Sequence, residues 1–113
     1  MHLEPLHIED SNGTQHDYRA LRLSGPITIS NLFQFQSLVR SNTSPKLILD
    51  LSDVPYIDSA GIGVLVGAYV NQQKDGRCLA FVGVTQRVRD AMQVTRVEQF
   101  FRFYDTETAA HQA

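Results

Sequence analysis

The chain has 113 residues, 42% hydrophobic and 19% charged, the size and composition of one globular domain that needs no disulfide or metal staple. Ten basic residues against twelve acidic ones give a net charge of −2, and no basic cluster supplies the electrostatic footprint of a nucleic-acid binder. Met1-His2-Leu3-Glu4-Pro5 has no basic region or apolar core of a signal peptide, and the longest mainly apolar run, Ala60 to Val70, is about half a membrane span; a soluble, cytoplasmic protein is expected.

Leu3 to Asp10 alternates weakly and meets the turn signal Ser11-Asn12-Gly13, after which Tyr18 to Leu23 alternates cleanly. The pair predicts an edge hairpin, ended by Ser24-Gly25-Pro26. From Ser30 to Ser41, Leu32, Phe35, Leu38 and Val39 recur at helical spacing, with Ser30 or Asn31 as N-cap, and Pro45 closes the following loop. Lys46 to Leu51, apolar except at Lys46 and Asp50, reads as a strand covered on both faces. A helix is predicted over Ser59–Lys74, with Ile62, Leu65, Val66 and Tyr69 on one side and Lys74-Asp75-Gly76 as its stop. Arg77 to Val84 reads as a strand. Thr85 caps a helix to Thr95 that buries Val88, Ala91, Met92 and Val94 or Thr95. Phe100 to Tyr104 forms a last strand, and Asp105 opens a fraying C-terminal helix.

The resulting order, β-β-α-β-α-β-α-β-α, predicts an α/β domain with a mixed, mostly parallel sheet of about five strands and about four helices, mostly on one face. The lone Cys78 precedes Leu79-Ala80-Phe81-Val82 and reads as a small buried hydrophobe. His2, His7, His16 and His111 lack ligand spacing, so no metal site is expected.

Chemistry concentrates at Asp58-Ser59-Ala60-Gly61-Ile62-Gly63, between a strand and a helix. A dinucleotide loop fails on spacing: Val66 stands where the third glycine belongs, and no acid closes Phe81-Val82-Gly83 to hold a ribose. A hydrolase nucleophile elbow fails because Ile57 replaces its first glycine and the only later histidine is His111 in the tail. Two readings of Ser59 remain. It serves as an N-cap worth about 1 kcal/mol, or it accepts a phosphate that the helix N-terminus stabilises and Asp58 repels. A cap does not account for Gly61, Gly63 and Gly67, which let the helix lie close on the sheet or a partner approach its start.

The run Leu47-Ile48-Leu49-Asp50-Leu51-Ser52-Asp53-Val54-Pro55-Tyr56-Ile57-Asp58-Ser59-Ala60-Gly61-Ile62-Gly63-Val64-Leu65 resembles the sulfate transporter and anti-sigma factor antagonist (STAS) domain family. Leu23-Ser24-Gly25 and Val94-Thr95-Arg96-Val97-Glu98-Gln99-Phe100-Phe101 add to the likeness. The resemblance implies a single-domain bacterial anti-sigma factor antagonist, with no cofactor and no catalytic residue. Its partner is an anti-sigma factor with serine kinase activity, which phosphorylates the serine after the aspartate, here Ser59; a serine phosphatase resets the switch. Thr28, Asp58, Ser59, Ala60, Gly61, Ile62 and Gly63 then form the partner surface. Where the family usually reads Gly-Glu-Leu/Ile-Asp, this chain reads Gly25-Pro26-Ile27-Thr28. That departure motivates an alternative: a scaffold subunit of a stress-signalling or lipid-transport complex that is never phosphorylated.

Overall fold

Strand pairing follows chain order throughout. The computed structural model describes residues 5–11 and 17–113. Its five strands, β1 (His7–Asp10), β2 (Arg19–Ser24), β3 (Lys46–Asp53), β4 (Cys78–Val82) and β5 (Phe103–Tyr104), form one sheet in the order β1-β2-β3-β4-β5. β1 pairs antiparallel with β2, from His7 opposite Ser24 to Asp10 opposite Leu21, and every other pairing is parallel. The predicted edge hairpin and mixed sheet are therefore present. Leu3 and the Asn12-Gly13 part of the turn lie outside the described residues, as do His2 and His16.

Helices α1 (Phe33–Ser41), α2 (Ser59–Lys74) and α3 (Gln86–Val94) make the parallel crossovers, and α4 (Glu107–Gln112) follows β5. Each crossover steps one strand in the same direction, so a common handedness puts all three helices on one face. There Leu21, Leu23, Leu47, Leu49, Leu51, Leu79 and Phe81 from the strands meet Phe35, Val39, Leu65, Ala68, Val88 and Met92 in the main core. The alternate positions Ala20, Ile48, Ala80 and Val82 face the other way and are covered by Ala110 of α4. This two-sided cover explains why the β3 run carries no polar residue between Leu47 and Leu49.

Helix α2 begins and ends where the sequence reading put it. Its end is a Schellman closure: Gly76, at φ +70°, donates to the Gln73 carbonyl and Arg77 N–H to that of Gln72. Three expectations need correction. α1 starts at Phe33 with Leu32 as an N-cap that makes no side-chain bond, so neither Ser30 nor Asn31 caps it. Phe100 to Arg102 is not strand: a 3-10 turn over Glu98–Phe100 carries the chain away from the sheet, leaving two residues in β5. Cys78 is exposed, because it sits at the rim of the back face beyond the cover of α4.

Helix α4 is held at both ends of its contact with the sheet. Lys46 Nζ donates to the Ala110 and His111 carbonyls, each at 2.9 Å. The His111 ring lies 4.2 Å from that of Tyr18, its Nε2 is 2.7 Å from Asp17, and the Tyr18 hydroxyl donates to Glu107 at 3.1 Å. The hydrogen bond with His111 keeps the Asp17 carboxyl below its ordinary value of 3.8. A carboxyl lowered in the folded state supports the fold above its unfolded value and ceases to as pH falls through its folded one. The α4 amide resonances should therefore shift selectively as the pH drops below about 4, in an NMR titration.

Candidate functional site

Past β3, the segment Val54-Pro55-Tyr56-Ile57 runs beside the loop between β2 and α1. Ile27 and Ile57 form an isolated parallel bridge; Ile27 N–H donates to the Tyr56 carbonyl at 3.2 Å and Asp58 N–H to the Ile27 carbonyl at 3.1 Å. The two loops are thus an extension of the sheet beyond its strands, and the start of α2 is built on it.

Asp58, not Ser59, caps α2. With ψ at −179° it is extended, and its Oδ1 accepts the Gly61 N–H at 2.9 Å. Its other oxygen accepts the Ile29 N–H at 3.0 Å. One carboxylate therefore satisfies an orphan donor of the helix and fixes the neighbouring loop. Asp58→Ala should lower stability by about 1–2 kcal/mol. Asp58→Asn should recover only part of this, because its NH2 group takes the place of one of the two accepting oxygens and meets an N–H donor with another. Urea denaturation of the two variants measures both effects.

Loop 26–31 closes on Asn31, whose Nδ2 donates to the Pro26 carbonyl at 2.8 Å and whose Oδ1 accepts the Thr28 N–H at 3.0 Å. The Thr28 hydroxyl shares a 2.9 Å hydrogen bond with Ser30. Asn31, read from the sequence as a possible helix cap, is instead a loop brace. Ile29 and, at the start of α1, Phe33 are left 72% and 83% exposed.

The glycines of α2 divide by role. A Cβ on Gly61 would stand 2.5 Å from both the Ile27 carbonyl oxygen and Ile57 Cγ1, whereas one on Gly63 or Gly67 would meet nothing within 4 Å. Gly61 thus admits the bridge beneath the helix, while Gly63 and Gly67 leave a low, open strip outside it.

Ser59 is exposed in the first turn of α2, where N–H groups have no carbonyl partner within the helix. It stands at the rim of an apolar hollow of about 280 Å³ between the start of α2 and the last turn of α3, lined by Ile57, Ile62, Ala91 and Val94 with Asp58, Asp90 and Thr95. Val94, expected as a possible core residue, is 82% exposed, because the end of α3 overhangs this hollow. Of the seven residues assigned to the surface, Ser59 and Gly63 are exposed, Thr28, Asp58 and Ala60 half-buried, and Gly61 and Ile62 buried. Ile62 still reaches the hollow; Gly61 faces inward. Ile29, Phe33 and Val94 were not legible as surface residues, since apolar side chains at helix margins read as core. His111, the imidazole a nucleophile elbow would need, is bound to Asp17 beside the back face. Among the described residues no helix is long and apolar enough to cross a membrane.

Comparison with known proteins agrees with this architecture. A Thermotoga neapolitana protein provisionally named an anti-sigma factor antagonist is 34% identical over 65 residues, 58% of each chain; this chain thus spans less than two thirds of that relative's length. The crystal structure of an anti-sigma factor antagonist from Mycobacterium paratuberculosis superposes with a TM-score of 0.82 at 19% identity, covering 95% of this chain and 92% of that one. The Bacillus protein SpoIIAA, solved unphosphorylated and phosphorylated, superposes at 0.76 and 0.71, with 14% and 13% identity; the matches cover 94% of this chain and 95% and 98% of those chains. At these identities the structural likeness is one of fold. The family model described as the STAS domain matches residues 11–110, which contain all five strands but β1 and the whole Asp58–Gly63 turn: the chain belongs to the STAS domain family.

Proposed function

We propose that this chain is an anti-sigma factor antagonist, a binding protein switched by phosphorylation of Ser59 and not itself a catalyst. It acts in the bacterial cytoplasm. Unmodified, it binds an anti-sigma factor with serine kinase activity through Ser59, Ala60, Ile62 and Gly63, flanked by Thr28, Asp58, Ile29 and Val94. Gly61 shapes this surface from beneath. The kinase transfers a phosphoryl group to the Ser59 hydroxyl, the complex separates, and a serine phosphatase restores the free hydroxyl. The observation that carries this reading is the placement of an exposed serine in a helix first turn beside an apolar hollow. The helix end favours the phosphate, and the apolar surroundings make the same charge unfavourable under a partner. The names of the family relatives support the reading, as does the solution of SpoIIAA in both phosphorylation states. Incubation with the cognate kinase and ATP, followed by peptide mass spectrometry, should place one phosphate on Ser59; modification elsewhere, or none, overturns it.

Thr28 favours a second reading. Its uncharged hydroxyl is bonded to Ser30 where the family usually carries an acid, which fits a scaffold subunit of a stress-signalling or lipid-transport complex that needs no kinase. Protein isolated from its native cell distinguishes the two: stable co-purification without a Ser59 phosphopeptide under any growth condition supports the scaffold.

A further inference from the structure

A second pocket, of about 380 Å³, opens at the opposite pole of the sheet, where β3 and β4 begin. It exists because β5 joins β4 only from Phe81 onward, so Cys78, Leu79 and Ala80 pair with β3 alone and the sheet edge beside them stays open. Among the described residues Lys46, Arg77 and Arg102 line this pocket with no Asp or Glu side chain, and Ala113 lines it as well. The side chains lining the pocket thus carry positive charge in a chain of net charge −2, although Arg77 is paired with Asp75 just outside the lining. Lys46 is engaged with the main-chain oxygens of Ala110, His111 and Ala113, each at 2.9 Å. The Arg77 guanidinium is anchored by the Asn42 carbonyl at 2.7 Å and Asp75 at 3.2 Å, and its remaining donors stay free to serve a ligand. Arg102 is exposed on a backbone fixed by its carbonyl, which accepts the Phe81 N–H at 2.9 Å.

The remaining walls are aromatic. Tyr69, Phe100 and Tyr104 line the pocket, and Phe100 stays 49% exposed with its ring 5.8 Å from that of Tyr69. Guanidinium groups match the planar geometry of carboxylate, sulfonate and phosphate oxygens, and aromatic faces hold a flat ring. The volume falls within the range of small-molecule sites. We propose that this pocket binds a small organic anion, its charged group on Arg77 and Arg102 and its ring against Tyr69 and Phe100. Tyr69 and Gln73 reach it from the far end of α2, roughly 15–21 Å along the helix from Ser59. A ligand there leaves the Ser59 surface open, so both sites can be occupied together.

Cys78 lines the pocket, is exposed and is the chain's only cysteine, so its alkylation reports occupancy. With the full chain and naphthalene-2-sulfonate as probe, reaction of Cys78 with neutral iodoacetamide should slow about tenfold at roughly nine times the half-saturating concentration. Sodium sulfate at equal ionic strength should leave the rate unchanged. Arg102→Gln and Phe100→Leu, both at exposed positions, should each raise the half-saturating concentration, the former about tenfold. Unprotected Cys78 at saturating probe, or protection unaltered in both variants, overturns the site. Equal protection by sulfate overturns the requirement for a ring.

Discussion

Under the proposed function, Ser59→Asp should bind the cognate anti-sigma factor about a hundredfold more weakly than the unmodified chain, a loss of ~2.7 kcal/mol. The variant itself should fold normally. An acidic residue at the first position of α2 interacts favourably with the helix dipole and faces solvent in the free protein. Its cost arises only in the proposed complex, where a carboxylate at the rim of the hollow lined by Ile62 and Val94 would lose water. Ser59→Ala keeps the surface neutral and should bind within a few-fold of wild type, yet resist release by kinase and ATP. Calorimetric titration of the three proteins, with melting curves as controls for folding, measures this. Equal affinity for Ser59→Asp and wild type would end the case for a charge switch.

Replacing Gly61 with alanine should destabilise the domain by about 2–3 kcal/mol, although alanine is the better helix former. The new methyl would stand 2.5 Å from the Ile27 carbonyl oxygen, which belongs to backbone fixed by the Asp58 N–H. The helix start must then lift off the bridge. Gly63→Ala meets open space and should stabilise by up to about 1 kcal/mol through helix propensity alone. The two substitutions thus differ in sign two residues apart on one helix. Urea denaturation resolves them; equal effects at both positions would contradict the packing described. The pair also separates stability from recognition, because Gly63→Ala adds a methyl to the proposed partner surface while leaving the fold intact.

The sheet and α2 were readable because their signals are redundant. The Leu47 to Leu49 run, the stop at Lys74-Asp75-Gly76 and the alternation of Arg19 to Leu23 each combine pattern with punctuation. Reading failed where one residue type can serve two backbones. Asn31 has the side chain of a helix cap, but its amide closes the loop at Pro26 and Thr28. Asp58 and Ser59 are both good caps, and only the extended conformation of Asp58 decides between them. Cys78 and Val94 failed differently: each lies on an apolar periodicity, one position past the point where another element covers it. At the candidate site the sequence marked Ser59 and its neighbours along α2. It could not show that α3 and the loop before α1 meet there, because that convergence depends on crossovers joining residues more than twenty-five positions apart.

The order β1-β2-β3-β4-β5 also bears on how the molecule comes into being. Every strand after β1 pairs with the one synthesised just before it, so none of them waits for a later partner to emerge. A growing chain can add each strand and its helix to an edge already in place, closing one crossover at a time. The hairpin of β1 and β2 is then the natural template, and β5 with its two residues the last and least demanding addition. Such a domain suits assembly from the ribosome outward, and its proposed partner surface is complete once α3 has docked, before β5 and α4 are made.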